Sequence, residues 1–354
     1  MEVVARHSKG RAGPNWANPV LLALVVSQLS TGFVGLTNGS ERHAWLLWLH
    51  GIGAYAIVLL LAWKGRVILG SLRSRRAVDP ATLGALVQLV LLLVVLGTGL
   101  VWTFGGRRLI NNYSLITIHV VIVFGLTALL PWHVFLKRWV FRDTKATGRR
   151  NFLRFGAMAA GGLSLWLVAG RAMEYLDLPG SRRRFTGSYE TGSFSAEFPI
   201  VTWLLDYPAP VDAKQWSLVI DGAVEQVVVL TYEQLSGMAR DVLVATIDCT
   251  GGWYAHQEWK GVNVGRLLEM ARTKASARSV SFEAVSGYGR RYSVEEANGY
   301  LLALEVAGSR VSHGHGFPVR LVAPEHRGFE WVKWIARIRV NETSKFWQPP
   351  VPLQ

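Results

Sequence analysis

Long apolar segments separated by short polar ones dominate the first half of the chain. A helix needs roughly 20 residues to cross a bilayer, and five segments reach that length. They cover approximately 17–37, 43–63, 81–103, 114–136 and 152–170. This half therefore predicts an all-α transmembrane helical bundle.

Shorter apolar runs, many alternating with polar positions, characterise the second half. Such alternation between turn residues predicts strands. We predict strands in WSLVIDGAV, QVVVL, DVLVATIDC, SVSFEAV, RRYSV, FPVRLVAP and WIARIRVNE, and helices in TYEQL and VNVGRLLEMAR. Thr231 is the candidate N-cap of the first helix. The pattern indicates an α+β domain with a β-rich core, in which DVLVATIDC is a buried strand that ends at Cys249. The Gly/Ser/Arg-rich stretch 178–193 is interpreted as a linker or an irregular binding segment.

The formal charge of +14 depends for its meaning on where the basic residues lie. The linkers 63–76 and 136–150 are strongly basic, whereas the turns 37–43 and 104–113 are much less so. The positive-inside rule places the N-terminus and both basic linkers in the cytoplasm, and five crossings then place the chain after about residue 171 outside. Membrane lipid is the partner that this distribution predicts. Nucleic acid is excluded because no basic patch is interleaved with aromatic residues.

The fifth span is introduced by the sequence GRRNFL, in which Arg149 and Arg150 form a pair. This stretch resembles a twin-arginine export signal, and the following helix is rich in Ala and Gly, as in such signals. The resemblance implies a multi-pass protein of a bacterial cytoplasmic membrane, with a periplasmic or extracellular C-terminal domain that is exported folded around its cofactor. The alternative is that the arginines only anchor the helix on its positive side.

Two histidines lie at similar depth in the predicted spans. His50 is in the second span and His119 in the fourth, both roughly 8–10 Å from the outer edge. Polar side chains at membrane depth are costly and suggest function. Two neutral imidazoles on neighbouring helices can bind one b-type haem from both faces. The alternative is two unrelated interhelical hydrogen bonds.

His133 follows His119 by fourteen residues, so both project from one helix face, ~21 Å apart. The spacing resembles that of membrane cytochromes b with two stacked haems, and spans one to four resemble a cytochrome b561-type bundle. The partner position expected near 64 is a lysine, Lys64. His133 is therefore assigned to a second haem, a quinone site or a lone hydrogen bond, and these alternatives stay open.

Cys249, the only cysteine, excludes an internal disulfide framework. It is followed by Thr-Gly-Gly, which lets the backbone approach a ligand closely. Further motifs follow in the order WKGV (259–262), HGFPVR (315–320) and VKW (332–334). The ordered set resembles the molybdopterin-binding domain of the sulfite oxidase family, over roughly residues 190–342.

This resemblance implies roles for five residues. Cys249 would give a thiolate to molybdenum, His315, Arg320 and Lys333 would bind the pterin and its phosphate, and Arg184 would be a further cofactor contact. A soft thiolate suits the metal, and cations suit a phosphate dianion. Sulfite oxidases follow their cysteine with Ala-Gly-Asn-Arg-Arg and bind sulfite with one of these arginines, whereas this chain has Thr-Gly-Gly-Trp-Tyr. A small-molecule or protein-bound S-oxide or N-oxide is therefore favoured as substrate.

Together the patterns predict a multi-domain chain. A four-helix cytochrome b-like membrane domain (1–136) is followed by a basic linker with the fifth span (137–171) and an extracytoplasmic α+β, sulfite-oxidase-like molybdopterin-binding domain (172–354). The predicted function is a molybdenum-dependent oxidoreductase that exchanges electrons between its oxo substrate and membrane quinone or quinol through haem b.

Other functions fit less of the sequence. One alternative is a haem b membrane electron carrier whose outer domain is a non-catalytic binding module. A hydrolase using Cys249 and His256 lacks a recognisable spacing and an orienting acid. A transporter is disfavoured because the five spans show neither paired inverted halves nor broken helices.

Overall fold

The computed structural model describes residues 16–73, 80–136, 149–203 and 206–352. The chain forms two compact units. Unit 1 runs up to Val34 and resumes over Trp45–Ser181, and unit 2 comprises Gly35–Ala44 and the chain from Arg182 onward. The hydrophobic pattern did not separate the short turn after the first span from the membrane half.

Unit 1 contains five long helices. They are α1 (Ala17–Thr37), α2 (Ala44–Arg73), α3 (Pro80–Gly105), α4 (Leu115–Leu136) and α5 (Arg149–Tyr175). Among the described residues, these five are long and apolar enough to cross a membrane. The predicted apolar helices are thus confirmed. The second is longer than predicted because the polar residues after 63 favour helix although they lower the hydropathy.

The first four helices share a hydrophobic core. Each contributes one side chain to a buried cluster, which consists of Val25, Ile57, Leu92 and Leu126. The fifth helix packs on α2 through small residues, since a Cβ on Gly162 would lie 2.8 Å from the carbonyl oxygen of Ile52. Close backbone approach at glycine is a common way for apolar helices to associate.

A tight hairpin joins α3 to α4. Strand β1 (Leu109–Ile110) pairs with β2 (Tyr113–Ser114). The two residues between them, Asn111 and Asn112, have φ angles of 48° and 67°. This is the backbone of a type I′ turn, which asparagine tolerates well.

Unit 2 is built on two sheets. The six-stranded sheet contains β3 (Tyr189–Glu190), β6 (Asp241–Cys249), β7 (Trp253–Asn263), β10 (Leu301–Val306), β11 (Ser309–Arg310) and β12 (Arg320–Val322). Its order is β11-β10-β7-β3, with β6 also paired to β7 and β12 to β10. The five-stranded sheet has the order β5-β4-β13-β8-β9. Its members are β4 (Ser217–Gly222), β5 (Val228–Thr231), β8 (Ser279–Ala284), β9 (Gly289–Ser293) and β13 (Ile335–Asn341).

Three short helices complete unit 2, namely α6 (Tyr232–Gly237), α7 (Val264–Met270) and α8 (Val294–Asn298). Thr231 caps α6 as predicted, because its hydroxyl accepts the backbone N–H of Gln234 at 3.2 Å while the Gln234 side chain accepts that of Thr231 at 2.9 Å. This reciprocal capping box satisfies two N–H groups that the helix leaves unpaired.

All seven predicted strands occur, but one expectation about them was wrong. Strand β6 is buried only towards its C-terminal end, since Val242 and Val244 are 56% and 62% exposed. Only one face of its first half is covered, so alternate apolar side chains point outward. The stretch 178–193 contains a turn of 3-10 helix, Pro179–Arg182, and the short strand β3.

Candidate active site

The thiol of Cys249 lies at the end of β6, where a tight turn leads into β7. Cys249 pairs directly with Trp253 across this hairpin. Its Sγ accepts the backbone N–H of Gly251 at 3.3 Å, and the residue is 7% exposed. Burial raises the pKa of the thiol, although the Gly251 N–H and the cations of Arg327 and Lys333 act in the opposite direction. The thiol is therefore protonated at neutral pH and would release its proton on binding a metal.

Asp248, the residue before the cysteine, anchors the end of β6. Its carboxylate is 3% exposed and contacts two hydroxyl groups and two guanidinium groups. These belong to Thr186 (2.7 Å), Ser188 (2.7 Å), Arg184 (3.3 Å) and Arg327 (3.0 Å). Arg327 also donates to the carbonyl oxygen of Cys249 at 3.2 Å. A buried carboxylate with this many donors is well compensated, so the network fixes the position of the cysteine backbone.

Arg320, the first residue of β12, is a buried cation with few partners. It is 1% exposed, and its guanidinium lies 5.0 Å from the ring centre of Trp259 and 5.7 Å from that of Trp331. Nη1 donates to the carbonyl of His315 at 3.0 Å, whereas Nε and Nη2 have no hydrogen-bond partner among the residues that the structure describes. Burial lowers the pKa of Arg320 to about 9. Among the described residues, no carboxylate forms an ion pair with it.

Lys333 brings a second cation to the same place. Its Nζ donates to the carbonyl oxygens of Val201 at 2.8 Å and Gly314 at 2.6 Å. Burial, followed by repulsion from Arg320, lowers the pKa of Lys333 to about 7, while Cys249 acts in the opposite direction. These two cations repel each other and would both be stabilised by an anion.

Gly316 explains how the two cations come so close. It has a φ of 115°, and a Cβ at this position would lie 3.0 Å from the Cβ atoms of both Arg320 and Lys333. Only glycine adopts this backbone readily and leaves that space.

His315 lies beside this cluster, but both of its ring nitrogens are used within the protein. Nε2 lies 2.9 Å from the carbonyl oxygen of Phe198, and Nδ1 lies 3.0 Å from the hydroxyl of Ser312. Because a carbonyl only accepts, Nε2 carries the proton and donates. The pKa of His315 is lowered to about 4, mainly by burial and also by the cations of Arg320 and Lys333, while the hydrogen bond to the Phe198 carbonyl acts in the opposite direction. The neutral ring stacks on Phe198, with a centroid separation of 3.9 Å.

Further buried donors without partners surround the thiol and the cations. The indole Nε1 atoms of Trp253 and Trp331 are buried and form no hydrogen bond within the described part of the chain. A Cβ on Gly251 would lie 3.8 Å from the Trp253 Nε1 and 3.5 Å from Cys249 Sγ, so both atoms border the same point. Unpaired buried donors are costly in a folded protein. A soft thiol, uncompensated cations and unpaired N–H groups fit the thiolate, phosphate and ring-acceptor requirements of a molybdenum–pterin cofactor.

The structure thus gathers Cys249, Arg320 and Lys333, whereas Arg184 lies on the Asp248 carboxylate, beside the cysteine backbone. The sequence pattern did not single out three further residues that complete the site: Asp248, Arg327 and Trp331. Asp248 directly precedes the candidate ligand Cys249, and Arg327 and Trp331 stand in HRGFEW directly before the VKW motif. The available signal was the charged residue Asp248 in an apolar strand, directly next to the candidate metal ligand Cys249.

In unit 1, His50 and His119 have matching environments. The Nδ1 atom of each ring lies 3.1 Å from a threonine hydroxyl, that of Thr31 or Thr98. Within the described chain, no cluster of three or more His, Cys, Asp or Glu side chains could hold a metal ion. Haem iron, however, needs only two axial protein ligands, so this pair fits a haem.

The structure describes only some of the residues on which the remaining predictions for the membrane half depend. His133 stands on α4, but its side chain lies outside the described residues, so the second haem stays a prediction. Lys64 donates to the side-chain oxygen of Asn18. Arg149 begins α5, and the linker before it, 137–148, is outside the described residues. The twin-arginine interpretation stays a prediction as well.

A family model supports the sequence resemblance in the C-terminal region. The model described as the oxidoreductase molybdopterin-binding domain matches residues 205–347. The match includes Cys249, His315, Arg320 and Lys333 and does not extend into unit 1.

Curated proteins with related sequences cover similar parts of the chain. YuiH, an uncharacterized oxidoreductase of Bacillus subtilis, is 28% identical over 148 residues, which are 40% of this chain and 75% of that protein. The protein-methionine-sulfoxide reductase catalytic subunit MsrP of Gluconobacter oxydans is 30% identical over 190 residues, 48% of this chain and 59% of that protein. A nitrate reductase [NADPH] of Beauveria bassiana is 33% identical over 99 residues, 25% of this chain and 11% of that protein. The chain thus spans less than two thirds of the last two relatives.

Among solved structures, the sulfane dehydrogenase SoxCD from Paracoccus pantotrophus matches with 27% identity and a TM-score of 0.37, over 38% of this chain and 40% of that one. The family match and the sequence relatives support a molybdenum-dependent oxidoreductase, and the C-terminal region of this chain is similar to the oxidoreductase molybdopterin-binding domain of the sulfite oxidase family.

Proposed function

We propose that this protein is a membrane-bound molybdenum-dependent oxidoreductase that exchanges electrons between an extracytoplasmic oxo-transfer substrate and membrane quinone through haem b. The observation that carries the proposal is the group formed by the Cys249 thiol and the uncompensated Arg320 and Lys333 cations in a chain with five membrane-length helices. The location is a bacterial cytoplasmic membrane, with the N-terminus inside and unit 2 outside.

The residues of unit 2 divide the work of holding the cofactor. Cys249 would supply the thiolate ligand, and Arg320 and Lys333 would bind the phosphate and neutralise its charge. The Trp253 and Trp331 N–H groups are placed to donate to ring or oxo acceptors. When bound, the cofactor supplies two-electron oxo transfer. The ion pair of Asp248 with Arg327 fixes the position of the Cys249 backbone.

The charge around the thiol bears on the substrate class. The guanidinium group of Arg327 is neutralised by Asp248, and no arginine follows the cysteine in the turn. A neutral oxo substrate therefore suits the site better than sulfite. An S-oxide is the first choice, with support from the 30% identity to a protein-methionine-sulfoxide reductase, and an N-oxide is the second.

His50 and His119 would bind one haem b on its two faces and relay electrons one at a time between quinone or quinol and unit 2. Their positions on α2 and α4, within one four-helix core, support this assignment.

The decisive experiment measures cofactors in the full chain, purified in mild detergent from a host that makes molybdopterin. We expect about one molybdenum per chain and a reduced-minus-oxidised spectrum of haem b. Cys249→Ser should change the electron paramagnetic resonance signal of molybdenum and abolish turnover of S-oxides with quinol. Val244→Ser, at an exposed position of the same strand, is the control and should leave both unchanged.

Protein that contains haem but no molybdenum would contradict the proposal. It would favour a membrane electron carrier whose outer domain is a binding module. The same conclusion would follow if Cys249→Ser retained full activity.

A further inference from the structure

The surroundings of His50 and His119 repeat each other in detail. In each case a Thr-Gly dipeptide on the preceding helix contacts the imidazole. Thr31-Gly32 on α1 contacts His50, and Thr98-Gly99 on α3 contacts His119. Two copies of one arrangement, on two separate helix pairs, suggest a shared purpose.

The hydrogen bonds determine which ring nitrogen carries the proton. Oγ1 of Thr31 lies 2.7 Å from the carbonyl oxygen of Ser27, and Oγ1 of Thr98 lies 2.9 Å from that of Val94. A carbonyl oxygen only accepts and a hydroxyl has one hydrogen, so each threonine donates to its own helix backbone. The threonine oxygen must then accept from the imidazole Nδ1–H.

The glycines pack against the same edge of each imidazole ring. A Cβ on Gly32 would lie 3.1 Å from Cε1 of His50, and one on Gly99 would lie 3.5 Å from Cε1 of His119. The Nδ1–Cε1 edge is therefore packed against the Thr-Gly dipeptide. In the described part of the chain, no side chain forms a hydrogen bond with Nε2 of either ring.

We propose that Thr31 and Thr98 are positioning residues that fix both imidazoles in the Nδ1–H tautomer and so present the Nε2 lone pairs as axial ligands. An accepted hydrogen bond at Nδ1–H also makes the imidazole a more basic ligand, which favours ferric over ferrous iron. The two threonines thereby lower the reduction potential of the haem. This inference rests on the proposed haem between α2 and α4.

The test compares Thr31→Val, Thr98→Val and the double variant with Thr31→Ser and Thr98→Ser in the full chain. Valine keeps the shape and removes the acceptor, whereas serine keeps the hydroxyl. Thr127→Val is the matched control, because Thr127 on α4 donates to the Val123 carbonyl at 2.8 Å and contacts neither histidine. The readouts are haem per chain, the largest g-value of the low-spin ferric signal and the reduction potential from a spectroelectrochemical titration.

We expect each valine variant to have a higher reduction potential, a shifted g-value and roughly 10–100-fold weaker haem binding. The serine variants and Thr127→Val should match the wild type. If a valine variant loses haem altogether, restoration by serine supports the inference, and failure of serine overturns it.

The two levels of the proposal fail in different ways. Wild-type protein without haem would contradict the proposed function. Wild-type protein with a bis-imidazole haem, together with valine variants of unchanged g-value and potential, would overturn the role of the threonines and leave the proposed function standing.

Discussion

Arg320 combines almost complete burial with an uncompensated positive charge. Its contacts with the faces of Trp259 and Trp331 offset part of the desolvation cost, because the ring quadrupole attracts a cation. They do not satisfy Nε and Nη2, for which the described residues provide no acceptor. A side chain in this position makes sense when an anion binds beside it.

Replacing Arg320 should therefore raise the stability of the cofactor-free protein and weaken cofactor binding. Arg320→Met keeps the stem of the side chain and removes the charge, so we expect cofactor-free protein to gain about 1 kcal/mol or more of unfolding free energy. The same variant should lose most of its molybdenum. Thermal unfolding and metal analysis measure the two effects. Arg337→Met is the control, because Arg337 pairs with Asp221 at 2.6 Å. This substitution should leave the molybdenum content unchanged.

His315 should make cofactor-free protein sensitive to acid. Its pKa is lowered to about 4, while the unfolded chain binds the proton near 6.5. The unfolded state therefore takes up more protons between these values, and stability falls as the pH drops from about 6.5 to about 4. The contribution of this one group is up to about 3 kcal/mol.

His315→Gln tests this effect, because glutamine can still donate to the Phe198 carbonyl but does not titrate. Urea unfolding at pH 7 and pH 4.5 should show a smaller loss of stability in the variant than in the wild type. Equal losses in both proteins would assign the acid sensitivity to other groups.

At the scale of elements, the strength of the periodic signal decided what could be predicted. The five apolar runs of helix length had no competing interpretation. The start of α6 was predictable because Thr231 is a typical N-cap residue and stands where the strand pattern changes to a helical one. Strand β10 was missed because its sequence, LLALEV, has the leucine, alanine and glutamate of a good helix former. Its strand state comes from pairing with β7 and β12, which is tertiary information.

The candidate site divides along the same line. The resemblance of the ordered motifs to the sulfite oxidase family singled out Cys249, Arg320 and Lys333, because these motifs keep their order along the chain. The Asp248 network depends on contacts over sixty positions or more, such as that with Ser188, and no local pattern encodes them. Sequence alone also assigned His315 to the cofactor, without any sign that both ring nitrogens are already engaged.

Gly316, which lies shortly before β12, determines the space available to the two cation-bearing residues of the site. Gly316→Ala should introduce strain from the positive φ and push against both cation-bearing side chains, at a cost of about 1–3 kcal/mol. We expect lower molybdenum content as well as lower stability. Gly308→Ala is the matched control, since Gly308 has a φ of 74° with nothing within 4 Å of a Cβ. It should cost stability alone.

At the scale of the whole molecule, the proposed function joins a haem in unit 1 to a molybdenum cofactor in unit 2. Cys249→Ser should then divide the reaction into two halves. Quinol should reduce the haem in wild type and variant alike, but an added S-oxide should reoxidise it only in the wild type. Stopped-flow absorbance of the haem measures both phases. Reoxidation by the S-oxide in the variant would place the substrate reaction somewhere other than Cys249.

The single buried cysteine has a practical consequence for following such a chain. Maleimide reagents need an accessible thiolate, and the sulfur of Cys249 is enclosed. Under the proposed function it would also be bound to metal in the loaded protein. Cysteines introduced at exposed positions would therefore be the only reactive thiols. One nitroxide in each unit, at Val168 on α5 and Val227 before β5 for example, would report the distance between the two units during turnover without removing the native sulfur.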